Sequence, residues 1–124
     1  MSRCCGNIVF SKNNEKIYDH LTVKGIFNEN KIIYVENDIT VTLLIFDNKI
    51  QMKRETVDYV IDIPFEVGIE TEGTYLLKEY EKSLRLKIIT EKMNYQNNKI
   101  EINYSLSIED EEPDEFSFSL ELEV

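Results

Sequence analysis

The segment Thr56–Glu70 (TVDYVIDIPFEVGIE) constrains the fold of this chain more than any other stretch. Apolar residues occupy every second position on both sides of Pro64: Val57, Tyr59, Ile61, Ile63, Phe65, Val67 and Ile69. This period of two is typical of a strand with one dry face and one wetter face. Because Pro64 lacks a backbone N–H, we expect the ladder to break or bulge there. The pattern predicts two strand segments joined at a proline corner, as in a strand that crosses from one sheet to another.

The composition favours sheet along the whole chain. The sequence contains 16 Ile, 8 Val and 7 Thr but no Ala, so β-branched residues are common and the best helix former is missing. Turn residues separate short alternating segments. We therefore predict an all-β fold, an antiparallel β-sandwich or a jelly-roll-like barrel of about 8–10 strands.

The length of 124 residues corresponds to one domain. We expect residues 1–7 to form a short cysteine-bearing N-terminal arm and residues 8–124 to form a single β-sandwich domain. Gly25 lies inside a predicted strand, which indicates a bulge or a closely approaching neighbouring backbone. Strands are predicted over residues 8–10, 17–27, 31–35, 39–46, 50–52, 56–70, 74–80, 84–95, 99–108 and 116–124.

The net charge of −10 disfavours binding to phosphate backbones and to anionic membrane surfaces. We expect no nucleic-acid partner and no membrane insertion, since the longest apolar run is far shorter than a bilayer span. The first residues carry no apolar segment typical of a secretory signal. Synthesis in the cytoplasm is the corresponding expectation.

No constellation for catalysis is visible, so we expect a protein that is not an enzyme and that needs no cofactor or metal. His20 beside Asp19 is interpreted as a surface histidine, because successive strand residues face opposite ways. Asp110, Glu112 and Asp114 in the run EDEEPDE offer carboxylates for calcium, but the glycine turn of an EF-hand loop is missing. A solvated loop that discourages edge-to-edge aggregation is the preferred interpretation.

Cys4 and Cys5 are adjacent, and a disulfide between neighbours is strained. Either they form intermolecular disulfides, or they are two free thiols kept reduced in the cytosol. Four tyrosines lie in predicted strands: Tyr34, Tyr59, Tyr75 and Tyr95. They form either a sugar-binding platform or part of the core and its cross-strand pairs.

The last segment is the cleanest amphipathic strand in the chain, with an apolar face formed by Phe116, Phe118, Leu120, Leu122 and Val124. Such a strand closes its own sheet, or it adds to the edge of a neighbouring subunit by β-augmentation. The second alternative predicts a head-to-tail filament.

Four short motifs occur in a fixed order: Val23-Lys24-Gly25, Ile32-Ile33-Tyr34-Val35, Asp62-Ile63-Pro64-Phe65 and Gly68-Ile69-Glu70. In this order they resemble the SPOCS domain of spore-forming Firmicutes, over about residues 20–108. The cysteine-bearing start of the chain is also similar in architecture to the subunits of bacterial endospore appendages.

The resemblance implies a β-rich module of the spore coat or outer spore layers, made in the mother cell. On this basis we expect a non-enzymatic structural subunit that self-assembles on the spore surface as a fibre, an appendage or a coat lattice. Strand edges and sandwich faces would make the contacts, and Cys4 and Cys5 would cross-link them. The alternatives are an adaptor that recruits another spore-coat protein and a carbohydrate-binding module.

Overall fold

The computed structural model describes residues 2–123, with side chains from Cys5 to Glu123. Ten strands account for most of these residues: β1 (Ser2–Lys12), β2 (Glu15–Asn28), β3 (Lys31–Glu36), β4 (Ile39–Ile45), β5 (Ile50–Glu55), β6 (Tyr59–Phe65), β7 (Glu70–Leu77), β8 (Lys82–Gln96), β9 (Lys99–Ile108) and β10 (Asp114–Glu123). The all-β prediction is confirmed.

The strands form one closed barrel in which each strand pairs antiparallel with the next, and β10 pairs with β1. We expected a sandwich or a jelly roll, in which strands pair across longer connections. The short hairpin turns explain the simpler up-and-down order, because a strand joined by a tight turn pairs with its sequence neighbour.

Two-residue turns made of asparagine join β1 to β2 and β8 to β9. Asn13 and Asn14 have φ of 51° and 67°, and Asn97 and Asn98 have φ of 53° and 61°. Asparagine tolerates this left-handed conformation, which hairpins of this type require.

The predicted N-terminal arm over residues 1–7 is wrong for residues 2–7, which are the part of it that the structure describes. Residues 2–7 are the first half of β1, where Cys5 pairs with Lys24 of β2 and with Glu123 of β10. The alternation that marks this strand starts at Gly6 and continues through Ile8 and Phe10, all of which face the interior. A glycine in the first inward position conceals the pattern.

The structure at Pro64 also differs from the strand break or bulge that we expected there. β6 continues through Pro64, which pairs with Gln51 of β5. On the other side, pairing with β7 ends at Asp62 and Thr74, and residues 66–69 form the connecting loop. Near Pro64, therefore, only the ladder with β7 ends, whereas the ladder with β5 continues. A residue without an N–H is tolerated on the side of a strand that is left unpaired.

The expected close approach at Gly25 is confirmed. A Cβ atom at this position of β2 would overlap the carbonyl oxygen of Ile33 in β3. Any side chain there would push the two strands apart.

The barrel has two different ends. The terminal end carries the start of β1, the end of β10 and the turns at residues 29–30, 46–49, 66–69 and 97–98. The arginine end, named after Arg54, carries the turns at residues 13–14, 37–38, 56–58, 78–81 and 109–113. The middle of the barrel is filled by closely packed side chains that are almost inaccessible to solvent: Ile8, Ile32, Val41, Leu43, Ile50, Met52, Phe65, Ile88, Ile100, Ile102 and Leu120.

Candidate functional site

A row of inward-facing residues crosses the arginine end of the barrel. The strand register places Tyr34 of β3 opposite Val41 of β4, Val41 opposite Arg54 of β5, and Arg54 opposite Ile61 of β6. Ile61 lies opposite Tyr75 of β7. Polar and aromatic side chains thus enter the interior along one row of the sheet, next to the aliphatic core.

An ion pair inside the barrel links two strands that are not neighbours. The Arg54 Nη2 atom donates a hydrogen bond of 2.6 Å to Oε2 of Glu36, across the intervening strand β4. The Glu36 side chain is 1% exposed and the Arg54 side chain is 20% exposed. An unpaired charge at such a position would cost several kcal/mol, so each group requires the other.

The hydrogen bond to Glu36 also affects the pKa of Arg54. Burial lowers the pKa of its guanidinium, but the hydrogen bond and the charge of Glu36 outweigh that effect and raise the pKa above its ordinary value. The guanidinium therefore stays charged beside the Glu36 side chain.

Tyrosine hydroxyls surround this pair. Burial raises the pKa of Tyr34 and of Tyr104 well above the ordinary tyrosine value, and burial followed by the Glu36 charge raises the pKa of Tyr18. The buried Oη atom of Tyr34 has no hydrogen-bond partner among the residues that the structure describes. An orphaned buried hydroxyl is uncommon in folded proteins and is often satisfied by a water or a ligand atom.

An apolar cavity of about 190 Å³ opens beside Arg54 at this end of the barrel. Its walls are hydrocarbon except for the polar groups of Arg54 and two tyrosines. The lining residues are Phe10, Arg54, Ile61, Ile63, Tyr75, Leu86, Tyr104, Leu106, Ile108 and Phe116. Six of these side chains are half-buried hydrophobic residues packed against the core: Phe10, Ile61, Tyr75, Leu106, Ile108 and Phe116. We call this cavity the barrel mouth.

Stacked rings make one wall of the barrel mouth rigid. The ring of Phe116 is stacked on Phe10 at 5.7 Å and on Tyr104 at 5.2 Å between centroids. Tyr104 in turn contacts Phe65 in the core at 4.7 Å. This continuous aromatic wall connects the solvent-facing rim to the closed interior.

Larger hollows exist on the outer surface of the barrel, but their chemistry is less specific. One of about 370 Å³ is bordered by exposed hydroxyl and amide groups, among them Ser11, Asn103 and Ser117. It contains no buried ion pair. The barrel mouth combines an apolar wall with a few polar groups, which is the usual composition of a ligand site.

The structure places the predicted cross-linking cysteines in β1. Cys5 is half-buried and is a free cysteine, whereas the Cys4 side chain lies outside the described residues. The intermolecular disulfide stays a prediction.

The predicted self-assembly strand is β10, and its apolar face lines the barrel interior. Phe118, Leu120 and Leu122 are buried, Phe116 belongs to the barrel mouth, and Val124 lies outside the described residues. β10 pairs with both β1 and β9. It therefore presents no free edge for β-augmentation in the closed barrel, because its backbone groups already bond within the chain.

The other candidate residues are spread over the surface. His20 has φ of 61° at an irregularity of β2, which brings its Nε2 atom to 3.5 Å from Oδ1 of Asp19, so our expectation that the two face opposite ways was wrong. Both side chains are more than half exposed. Among the side chains described, from Cys5 to Glu123, there is no group of three or more His, Cys, Asp or Glu residues positioned to hold a metal ion.

The tyrosines do not share an outer platform. Tyr34 is buried in the barrel, and the rings of Tyr59 and Tyr75 contact each other at 5.5 Å between centroids. Tyr75 lines the barrel mouth.

Sequence reasoning missed the Glu36–Arg54 pair because both residues lay outside the predicted strands. Glu36 followed the strand over residues 31–35, and Arg54 lay between those over residues 50–52 and 56–70. A signal was nevertheless present. Glu36 continues the inward positions of Ile32 and Tyr34, and Arg54 continues those of Ile50 and Met52. Two opposite charges at inward positions of nearby strands indicate a buried ion pair.

Comparisons with known proteins give a fold relationship. No family model matches the sequence, and no curated protein matches it. Within the described part of the chain, no helix is long and apolar enough to cross a membrane. Among solved structures, the crystal structure of the ywiB protein from Bacillus subtilis is similar, with a TM-score of 0.60 over 98% of this chain and 91% of that chain. At 14% sequence identity, this similarity shows that the two chains share a fold.

Proposed function

We propose that this protein is a binding protein that holds a small, mainly apolar molecule in its barrel mouth. The observation that carries the proposal is the contrast between the two parts of the interior. The middle is filled by side chains, whereas the arginine end leaves an apolar cavity of about 190 Å³. Small barrels commonly hold one ligand at such a position.

The volume sets the size of the ligand. An apolar protein cavity of about 150 Å³ is large enough to take up benzene. The barrel mouth is therefore suited to a molecule with one ring or a short branched chain. Toluene is a suitable first probe because it offers only apolar surface.

Blocking the barrel mouth tests the proposal. Ile108 lines the cavity and is half-buried, so Ile108→Trp should fill it and abolish binding of toluene. The matched control is Ile89→Trp, because the Ile89 side chain lies on the outer face of β8 and is 50% exposed. Binding is measured by saturation-transfer NMR and by the rise in melting temperature with toluene concentration.

We expect the wild type and Ile89→Trp to bind toluene and to be stabilised by it. Ile108→Trp should neither bind toluene nor be stabilised by it. Equal binding by both variants would place the probe elsewhere on the surface. Failure of the wild type to bind toluene, or other one-ring compounds of similar size, would contradict the proposed function.

A second candidate is the self-assembling spore-surface subunit implied by the sequence resemblance. Two observations favour contacts between copies. Cys5 carries a free thiol in β1, and loop residues Val67 and Ile69 lie exposed next to the exposed Ile89 of β8. Since β10 is paired on both sides, such contacts would use this outer apolar cluster and the thiols.

This candidate predicts assemblies that depend on oxidation. Electron microscopy and size-exclusion chromatography should show high-mass particles in oxidising buffer, and these should be lost with reductant or in Cys4→Ser/Cys5→Ser. A wild-type protein that keeps one small size under both conditions would exclude disulfide-linked assembly.

A further inference from the structure

Two largely buried polar groups at the arginine end have hydrogen-bond donors without a partner among the side chains that the structure describes. Arg54 lines the cavity, and Glu36 is the one hydrogen-bond partner found for its guanidinium among the side chains from Cys5 to Glu123. A guanidinium has five N–H donors, so further donors are available to a bound molecule. The Tyr34 hydroxyl is buried without a partner among the same residues, and it too can donate.

Only one of these donors faces the cavity. Tyr34 and Arg54 flank Val41 in the register of β3, β4 and β5, and both side chains point inward. Arg54 is among the residues that line the barrel mouth, whereas Tyr34 is not. The cavity therefore presents the remaining donors of Arg54 and requires an acceptor.

The charge of the acceptor follows from Glu36. Glu36 neutralises Arg54 at 2.6 Å and is almost inaccessible to solvent. A ligand carboxylate would add a second anion beside Glu36 in a poorly solvated site, and two close carboxylates repel each other strongly. The net charge of −10 on the chain acts in the same direction. An uncharged acceptor avoids this cost.

We propose that the molecule held in the barrel mouth is an uncharged carbonyl compound, whose apolar body lies against the aromatic wall and whose oxygen accepts a hydrogen bond from Arg54. This inference rests on the proposed function and specifies the chemical class of its ligand. It also explains why an ion pair is retained inside the barrel: Glu36 keeps the guanidinium in place and excludes anions.

Three probes of similar size separate the parts of the inference. Acetophenone carries a neutral carbonyl group, benzoate carries a carboxylate and toluene carries neither. For the wild-type protein we expect acetophenone to bind roughly tenfold more tightly than toluene, the gain typical of a hydrogen bond to a charged donor. Benzoate should bind more weakly than acetophenone.

Two variants test the roles of individual groups. Arg54→Lys keeps a cation beside Glu36 but replaces the planar set of guanidinium donors, so it should reduce the preference for acetophenone and leave toluene binding unchanged. Glu36→Gln leaves the Arg54 charge without a carboxylate, so it should reverse the order and favour benzoate over acetophenone. Tyr80→Phe, at a position that is 72% exposed, is the control that should change neither ratio.

The outcomes distinguish this inference from the proposed function. Toluene and acetophenone binding equally, with no effect of Arg54→Lys, would overturn the carbonyl inference and leave apolar binding intact. Tighter binding of benzoate than of acetophenone to the wild type would also overturn it. Failure of all three probes to bind would contradict the proposed function itself.

Discussion

At the scale of single residues, the buried polar groups of the arginine end have the largest consequences. Glu36, Arg54, Tyr34 and Tyr104 lie inside a barrel that is otherwise filled with hydrocarbon. Each adds a cost of desolvation that only a partner offsets. Their contributions can be separated by substitutions that leave the apolar core unchanged.

Replacing one partner of the Glu36–Arg54 ion pair should destabilise the protein more than replacing both partners. Arg54→Met leaves the Glu36 carboxylate buried without a partner, and we expect it to lower the free energy of unfolding by about 3 kcal/mol. The double variant Glu36→Met/Arg54→Met should recover most of this loss. Urea denaturation of the two single variants and the double variant measures the coupling.

The control for this cycle is an exposed pair. Lys92 and Glu101 are 3.8 Å apart with side chains about half exposed, so Lys92→Met should change the free energy of unfolding by less than about 1 kcal/mol. A coupling between Glu36 and Arg54 as small as this would contradict the assignment of a buried ion pair.

The buried tyrosines predict a loss of stability in alkali. Because burial raises the pKa of Tyr34 and Tyr104 above the unfolded value, their contribution is complete below about pH 10 and is lost as the pH rises beyond it. Each buried tyrosine adds a slope of about 1.4 kcal/mol per pH unit there. Tyr34→Phe should therefore flatten the dependence of the urea midpoint on pH between 9 and 11.

The exposed Tyr80 provides the comparison for this experiment. Tyr80→Phe should leave the alkaline slope of the wild type unchanged, because its side chain is 72% exposed. Identical slopes for Tyr34→Phe and the wild type would show that Tyr34 is accessible to solvent.

At the scale of elements, alternation identified the strands, and the turns decided how they pair. The strands over residues 31–35, 39–46 and 99–108 were predicted close to their observed bounds, since their inward residues are large and apolar. β1 was missed in part because its inward position at Gly6 has no side chain. The turn expected at residues 71–73 lies within β7, because inward-facing Gly73 is a packing position and not a turn.

The close approach of β2 and β3 gives a prediction for one glycine. Gly25→Ala should destabilise the barrel by about 2 kcal/mol, because the added methyl group overlaps the carbonyl oxygen of Ile33 and the strands must separate. Lys24→Ala, at the adjacent exposed position of β2, serves as the control. Equal urea midpoints for the two variants would refute the steric argument.

At the scale of the whole molecule, closure of the barrel could not be read from the alternation. A period of two gives the inward face of each strand, but a sandwich, a jelly roll and an up-and-down barrel share it. The closing pair, β1 with β10, joins residues from opposite ends of the chain. Its register depends on all the intervening turns. The ion pair of the candidate site also arises only after β3, β4 and β5 align.

Closure predicts that damage to one strand affects the whole barrel. Ser119 of β10 pairs with Val9 of β1 and with Glu101 of β9, so Ser119→Pro should lower the free energy of unfolding by about 3 kcal/mol or more. Glu112→Pro, in the loop before β10, should have little effect. Circular dichroism and tyrosine fluorescence should report the same single transition for both variants, and separate transitions would contradict a closed cooperative unit.

The most direct test of the binding account is a methyl NMR titration of the wild-type protein with toluene. The methyl groups of Ile61, Leu106 and Ile108 in the barrel mouth should shift, whereas those of Ile32 and Ile50 in the filled core and of Ile89 on the outer face should not. Shifts confined to Ile89 and its surface neighbours, or no shift at saturating toluene, would contradict the claim that the barrel mouth is a binding site.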